Sequence, residues 1–171
     1  MAMIRCTAKL LREIGVTPSR LATDTSEDGV LGQWHANLIY LDRRKSLLFV
    51  NDRTLFNFIV PDVPRSQIRD LAPLFRVWFS CVMAEEGINE PARKRILAEY
   101  DDIQFGPSSD RSVLGSANEI AFHYKYAVAE VGGVHSVRVP AIIKELNRLP
   151  LNAITSTFPI EAFKKACAVA V

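Results

Sequence analysis

Residues 34–60 read WHANLIYLDRRKSLLFVNDRTLFNFIV, and the fold turns on this stretch. It is the longest β-patterned segment of the chain. One strand is expected over residues 33–41 and a second over 46–51, joined by Asp42-Arg43-Arg44-Lys45. A turn at Asn51-Asp52-Arg53-Thr54 leads into a third strand, 54–60. Pro61 and Pro64 end it, because neither can donate a ladder hydrogen bond. An Arg43-Arg44 loop and a four-residue 42–45 loop imply the same register. Leu41 then faces Ser46, Ile39 faces Leu48, Asn37 faces Val50, and His35 falls opposite Asp52. One side of this meander collects Trp34, Ala36, Leu38, Tyr40, Leu47, Phe49, Phe56, Phe58 and Val60, a core face that helices should cover. The other side holds His35, Asn37, Ile39, Leu41, Ser46, Leu48, Val50, Leu55, Asn57 and Ile59. So many aliphatics imply that something packs here too, with the N-terminal helix the candidate. His35, Asn37 and Asn57 would then need hydrogen-bond partners.

The flanks read mostly as helix. Residues 3–6 suit a short strand. Thr7 suits an N-cap before AKLLREI, with Gly15 at the C′ position. Residues 16–31 are acidic and turn-rich, the expected mobile loop. Helical spacing runs from 65 to 86, with Pro73 expected to kink or split it and Gly87 to end it. Asn89 caps a helix over 90–101, and residues 103–105 suit another strand. A helix over 112–130 places Val113, Ala117, Ile120, Ala121, Tyr124 and Val128 on one apolar face, with Ser116 and His123 opposite. Shorter helices are expected over 139–148 and 159–168. The expected fold class is α+β: a single domain over 1–171, with an antiparallel β-meander of three or more strands packed against five to six helices. Residues 3–6 and 103–105 could extend the meander.

The chain has 171 residues, 49% of them hydrophobic and 23% charged, the composition of a folded domain with its own core. A formal charge of +2 is too small to imply nucleic acid or membrane by itself, so any basic footprint must be local. The three cysteines Cys6, Cys81 and Cys167 show no metal-site spacing and suit a reducing cytoplasm. No metal and no cofactor is expected. The N-terminus is interrupted by Arg5, Lys9, Arg12 and Glu13, unlike a signal peptide, and no apolar run is long enough to span a membrane.

Two groups of residues could carry function. His35 beside Asp52, with Asn37 near, could act as a general base, because a carboxylate orients an imidazole and stabilises its charged form. The plainer alternative is a structural histidine tying a strand to the next turn. The Arg43-Arg44-Lys45 tip could contact phosphate, or be only a charged turn. Arg111 and Ser112 at a helix start, with Asn118 a little further along, could hold an anion, although capping by Ser112 explains the same residues.

Several signatures look familiar together: Arg5-Cys6-Thr7 with Lys9-Leu10-Leu11; Trp34-His35-Ala36-Asn37-Leu38; Asp42-Arg43-Arg44-Lys45; Asn51-Asp52 with Thr54-Leu55-Phe56; Arg111-Ser112-Val113-Leu114-Gly115-Ser116 with Asn118; and Leu146-Asn147-Arg148 with Pro150. In this order they resemble a family of uncharacterised bacterial proteins catalogued as a domain of unknown function. Ala117 stands where a larger residue, often Met, is usual. The resemblance implies a small cytoplasmic bacterial protein and supplies no activity, substrate or site.

The preferred expectation is a non-enzymatic binding module for nucleic acid or a protein partner, using His35-independent groups: the 42–45 tip and the 111–118 helix start. It requires Arg43, Arg44 and Arg111 on one surface. The alternative is a hydrolase- or nuclease-type enzyme using His35 and Asp52, which requires the two within hydrogen-bond reach in a concave pocket.

Overall fold

The computed structural model describes residues 2–22, 29–151 and 158–169. Part of the loop expected to be mobile, 23–28, lies outside them. The described elements are β1 (Ala2–Cys6), α1 (Ala8–Ile14), β2 (Trp34–Leu41), β3 (Arg44–Asn51), β4 (Asn57–Val60), α2 (Arg65–Arg69), α3 (Leu71–Glu85), α4 (Glu90–Ala98), β5 (Ile103–Pro107), α5 (Arg111–Glu130), α6 (Val139–Leu146) and α7 (Pro159–Val169), with a short 3₁₀ turn at Pro18–Arg20. The class is α+β. Seven α-helices are described rather than five or six, because the 65–86 segment breaks at Asp70 into α2 and α3. Pro73 then falls in the first turn of α3, where a missing N–H costs nothing. None of the described helices is long and apolar enough to cross a membrane.

The sheet has five strands in the order β4-β3-β2-β1-β5. Only its β2-β3-β4 part is the expected antiparallel meander. The sheet as a whole is mixed, since β1 runs parallel to both β2 and β5. The cause is connectivity: long, helix-bearing segments join β1 to β2 and β4 to β5, and such crossovers allow parallel pairing that a short hairpin cannot make.

The hairpin register also differs from the expectation, by two residues. Leu41 pairs with Arg44, Asn37 with Leu48, His35 with Val50 and Trp34 with Asn51. The loop is Asp42-Arg43, with φ of 50° and 60°. These are the signs of a type I′ turn, whose twist matches the flanking strands, and Asp is among the residues that best tolerate positive φ. A shift of two keeps every side chain on its expected face.

The core face is as read. Trp34, Phe49 and Phe58 pack edge-on or stacked against Phe75 and Phe79 of α3, with centroids 5.0–6.2 Å apart. The indole Nε1 of Trp34 donates to the Tyr100 hydroxyl at 2.8 Å, where both side chains are buried. Tyr100→Phe strands that N–H. It is expected to cost about 1–2 kcal/mol in urea unfolding; an unchanged midpoint would mean the bond contributes nothing.

The opposite face is covered by α5, not by α1. The hydroxyl of Tyr124 on α5 donates to Asn57 Oδ1 at 2.8 Å. Burial pushes the Tyr124 phenol well above its ordinary pKa, so it remains a donor. Helix α1 instead lies on the core side, with Lys9 Nζ 4.2 Å above the Tyr40 ring and Glu13 2.9 Å from Lys45 Nζ. Ser116 is buried with the apolar stripe of α5, its hydroxyl bonded back to Ser112 O at 3.2 Å, so it does not share the exposed face with Glu119.

Candidate functional site

His35 is the second residue of β2 and points to the α5 side of the sheet. Asp52 follows β3 in the turn, on the same side, two residues beyond Val50, the residue opposite His35. Such a diagonal pair is within reach of long side chains. The imidazole Nδ1 lies 2.6 Å from Asp52 Oδ1. A carboxylate only accepts, so Nδ1 carries the proton, and in the neutral ring Nε2 holds the lone pair.

The turn that carries Asp52 is built by Asn51. Its Oδ1 accepts from the Thr54 N–H at 3.0 Å and the Thr54 hydroxyl at 2.8 Å, and its Nδ2 donates to Leu31 O at 2.8 Å. The backbone N–H of Asp52 donates to Gln33 O at 3.0 Å, which fixes the carboxylate relative to the start of β2. Asn51 is fully buried, so this turn is a rigid mount.

The pair opens on a polar cleft of about 280 Å³ lined by Arg5, Gln33, His35, Asp52, Arg53, Ser109 and Asp110. Arg5 arrives because β1 pairs with β2 in parallel, which sets Arg5 beside His35. Its Nε donates to Gln33 Oε1 at 2.9 Å. Ser109 and Asp110 arrive from the other side, between β5 and α5. Asp110 is the N-cap of α5, accepting from the N–H groups of Ser112 and Val113 at 2.8 and 3.2 Å. The cap is therefore Asp110, and Ser112 is one of the residues it caps.

His35 is 95% buried by area, since 5% of it is exposed. Its Nε2 is buried and has no hydrogen-bond partner among the described residues. Buried polar atoms are almost always satisfied, so an orphan nitrogen on an oriented ring asks for a partner that the protein does not supply. Burial pushes the thiols of Cys6 and, to about 12, Cys167 upward, which leaves both as poor nucleophiles. Among the described residues no group of three or more His, Cys, Asp or Glu could hold a metal ion.

The remaining expected residues do not gather at this cleft. Asn37 accepts from the Thr7 hydroxyl at 3.2 Å and does not line it. Asn118 is exposed along α5. Arg43 is exposed at the hairpin tip, and Arg44 lies 3.8 Å from Asp62. That tip sits beside Gly133, just past the end of α5, where an added Cβ would come within 2.6 Å of Asp42 Oδ2. Arg111 starts the same helix. Twenty residues at ~1.5 Å each separate the ends by about 30 Å, so the three arginines share no surface. A second cleft, of about 370 Å³, lies between α3 and α6. It is lined mainly by apolar side chains such as Trp78, Val82, Val139 and Ile143, and the acids at it are already paired, Glu85 with Lys144 and Glu86 with Arg148.

Arg5, Gln33, Arg53, Ser109 and Asp110 were not legible as site residues. The alternation of β1 marks Arg5 as facing away from Ile4 and Cys6, but only a parallel partner brings it to His35. The one local signal was Asp110, a good N-cap type immediately before Arg111.

A family model described as a domain of unknown function (DUF6933) matches residues 3–162. No curated protein matches the chain.

Proposed function

The chain belongs to the DUF6933 family, a domain of unknown function, and for it we propose a hydrolase-type activity in which the Asp52–His35 pair is the general base. One observation carries this reading: the buried, unpartnered Nε2 of a ring whose other nitrogen is held by Asp52 at 2.6 Å. In the step proposed, a water in the cleft gives a proton to Nε2 as its oxygen bonds to the electrophilic carbon of the substrate. Asp52 stabilises the imidazolium that forms. The imidazolium then returns the proton to the leaving group, so the ring ends as it began. The mount built by Asn51 keeps the pair aligned without reorganisation.

The binding-module reading, with a nucleic acid or protein partner on the basic tip and the start of α5, has no common surface to work with. This reading takes the protein to work in a bacterial cytoplasm, a setting that suits its three free cysteines.

The test is a panel of small chromogenic esters assayed with the purified chain and with His35→Gln. Hydrolysis by the wild type, falling about 10²-fold in kcat/KM in the variant, is the expected result. Asp52→Asn should fall in parallel, because it lets the ring adopt the wrong tautomer. Equal rates in the wild type and His35→Gln would exclude the base role.

A further inference from the structure

We infer that the ligand of the polar cleft is a small monoanion, an organic carboxylate, seated on the guanidinium of Arg5 next to His35. The assignment of a reacting end beside His35 rests on the general-base reading above; the anion site stands on Arg5 itself.

Arg5 is half-buried, and its Nε is used to hold the guanidinium against Gln33 Oε1 at 2.9 Å. Among the described residues no carboxylate lies within ion-pair distance of it, although it lines a cleft that contains two. A half-buried arginine is normally paired, because its charge has lost part of its water. Here the fork edge is left without an acid while the side chain is fixed in orientation, which is the arrangement that receives an oxyanion. Gly106, beside Arg5 in the β1–β5 ladder, makes the room: a Cβ there would lie 2.7 Å from Arg5 Nη1 and 2.9 Å from Ala22 O. His35, whose Nε2 is buried without a hydrogen-bond partner among the described residues, lines the same cleft.

Charge decides the class of anion. Among the described residues, the cleft lining holds Asp52 and Asp110 beside Arg5 and Arg53. Those two fixed carboxylates disfavour a phosphate dianion more than a monoanion.

The experiment is an NMR titration of the ¹⁵N-labelled full chain with acetate, propionate and inorganic phosphate at fixed pH and constant ionic strength. It follows the Arg5 Nε–H and the His35 ring nitrogens. Saturable shifts of both groups with the carboxylates, and binding of phosphate weaker by about tenfold or more, are expected. Arg5→Gln should weaken carboxylate binding by about tenfold or more, with an otherwise unchanged amide spectrum as its folding control. Phosphate binding more tightly than acetate would overturn the class. Unchanged affinity in Arg5→Gln, or no saturable shift with any of the three probes, would overturn the site. His35→Gln separates the two readings: carboxylate affinity within about threefold of wild type supports an anion seat on Arg5, whether or not the ester panel shows hydrolysis.

Discussion

Replacing Asn147 with alanine is expected to destabilise the chain by about 4 kcal/mol, and to lower its thermal midpoint by about 12 °C. Strand β4 is at the edge of the sheet, paired only with β3. An edge strand exposes backbone donors and acceptors that must find partners or water. At Asn57 both outward groups are closed by one carboxamide. The Asn57 N–H donates to Asn147 Oδ1 at 2.9 Å, and Asn147 Nδ2 donates to Asn57 O at 2.7 Å. One side chain thus stands in for a sixth strand. The same Nδ2 reaches Ile143 O at 2.8 Å, and the backbone carbonyl of Asn147 accepts from the Ile160 N–H at 3.0 Å, so α6, α7 and the sheet edge meet at this residue. Asn147 and Asn57 are both fully buried, so water is not at hand to replace the lost bonds. Asn147→Leu restores volume without restoring either bond and should be no better than alanine. Urea unfolding measures both variants; a loss below about 1 kcal/mol in Asn147→Ala would show that the edge does not need this partner.

How far the sequence carries can be judged from particular residues. The two faces of the hairpin were legible because alternation is local, and they survive the two-residue error in register because the side-chain period is two. The His35–Asp52 contact survives for the same reason: Asp52 stays on the His35 side of the sheet at either register. Asn89 as a cap, Gly15 as a helix stop and the break near Pro73 were legible because each rests on the chemistry of one residue. What could not be read is whatever depends on pairing distant segments. The parallel β1–β2 and β1–β5 ladders join residues 2–6 to 34–36 and to 103–107, and no short-range pattern announces them. Arg5 and Ser109 enter the cleft only through those ladders. The cover of the second sheet face was misassigned to α1 for a related reason: α1 and α5 both carry an apolar stripe, and only the topology decides which side each takes.

The neighbouring residue carries the other large expected effect. Arg148→Ala should cost about 3 kcal/mol. Arg148 Nη1 and Nη2 donate to the two carboxylate oxygens of Glu86 at 3.1 and 2.7 Å. The Glu86 side chain is 1% exposed while that of Arg148 is 45% exposed. The pair is therefore asymmetric: the arginine can recover water if it loses its partner, and the glutamate cannot. The bond to Glu86 holds the Arg148 guanidinium above its ordinary pKa, so it stays charged throughout the accessible range. Removing it leaves a buried carboxylate without a counter-charge, a loss that comes from the stranded ion more than from the pair itself. The double variant Arg148→Ala/Glu86→Gln, which has no buried charge to strand, should regain part of the loss at neutral pH. Urea midpoints of the wild type, Arg148→Ala, Glu86→Gln and the double variant at neutral pH give the coupling directly. If the single and double variants are equally unstable at neutral pH, the cost lies in the lost packing of the arginine stem and its bond to Lys144 O at 2.8 Å, not in Glu86.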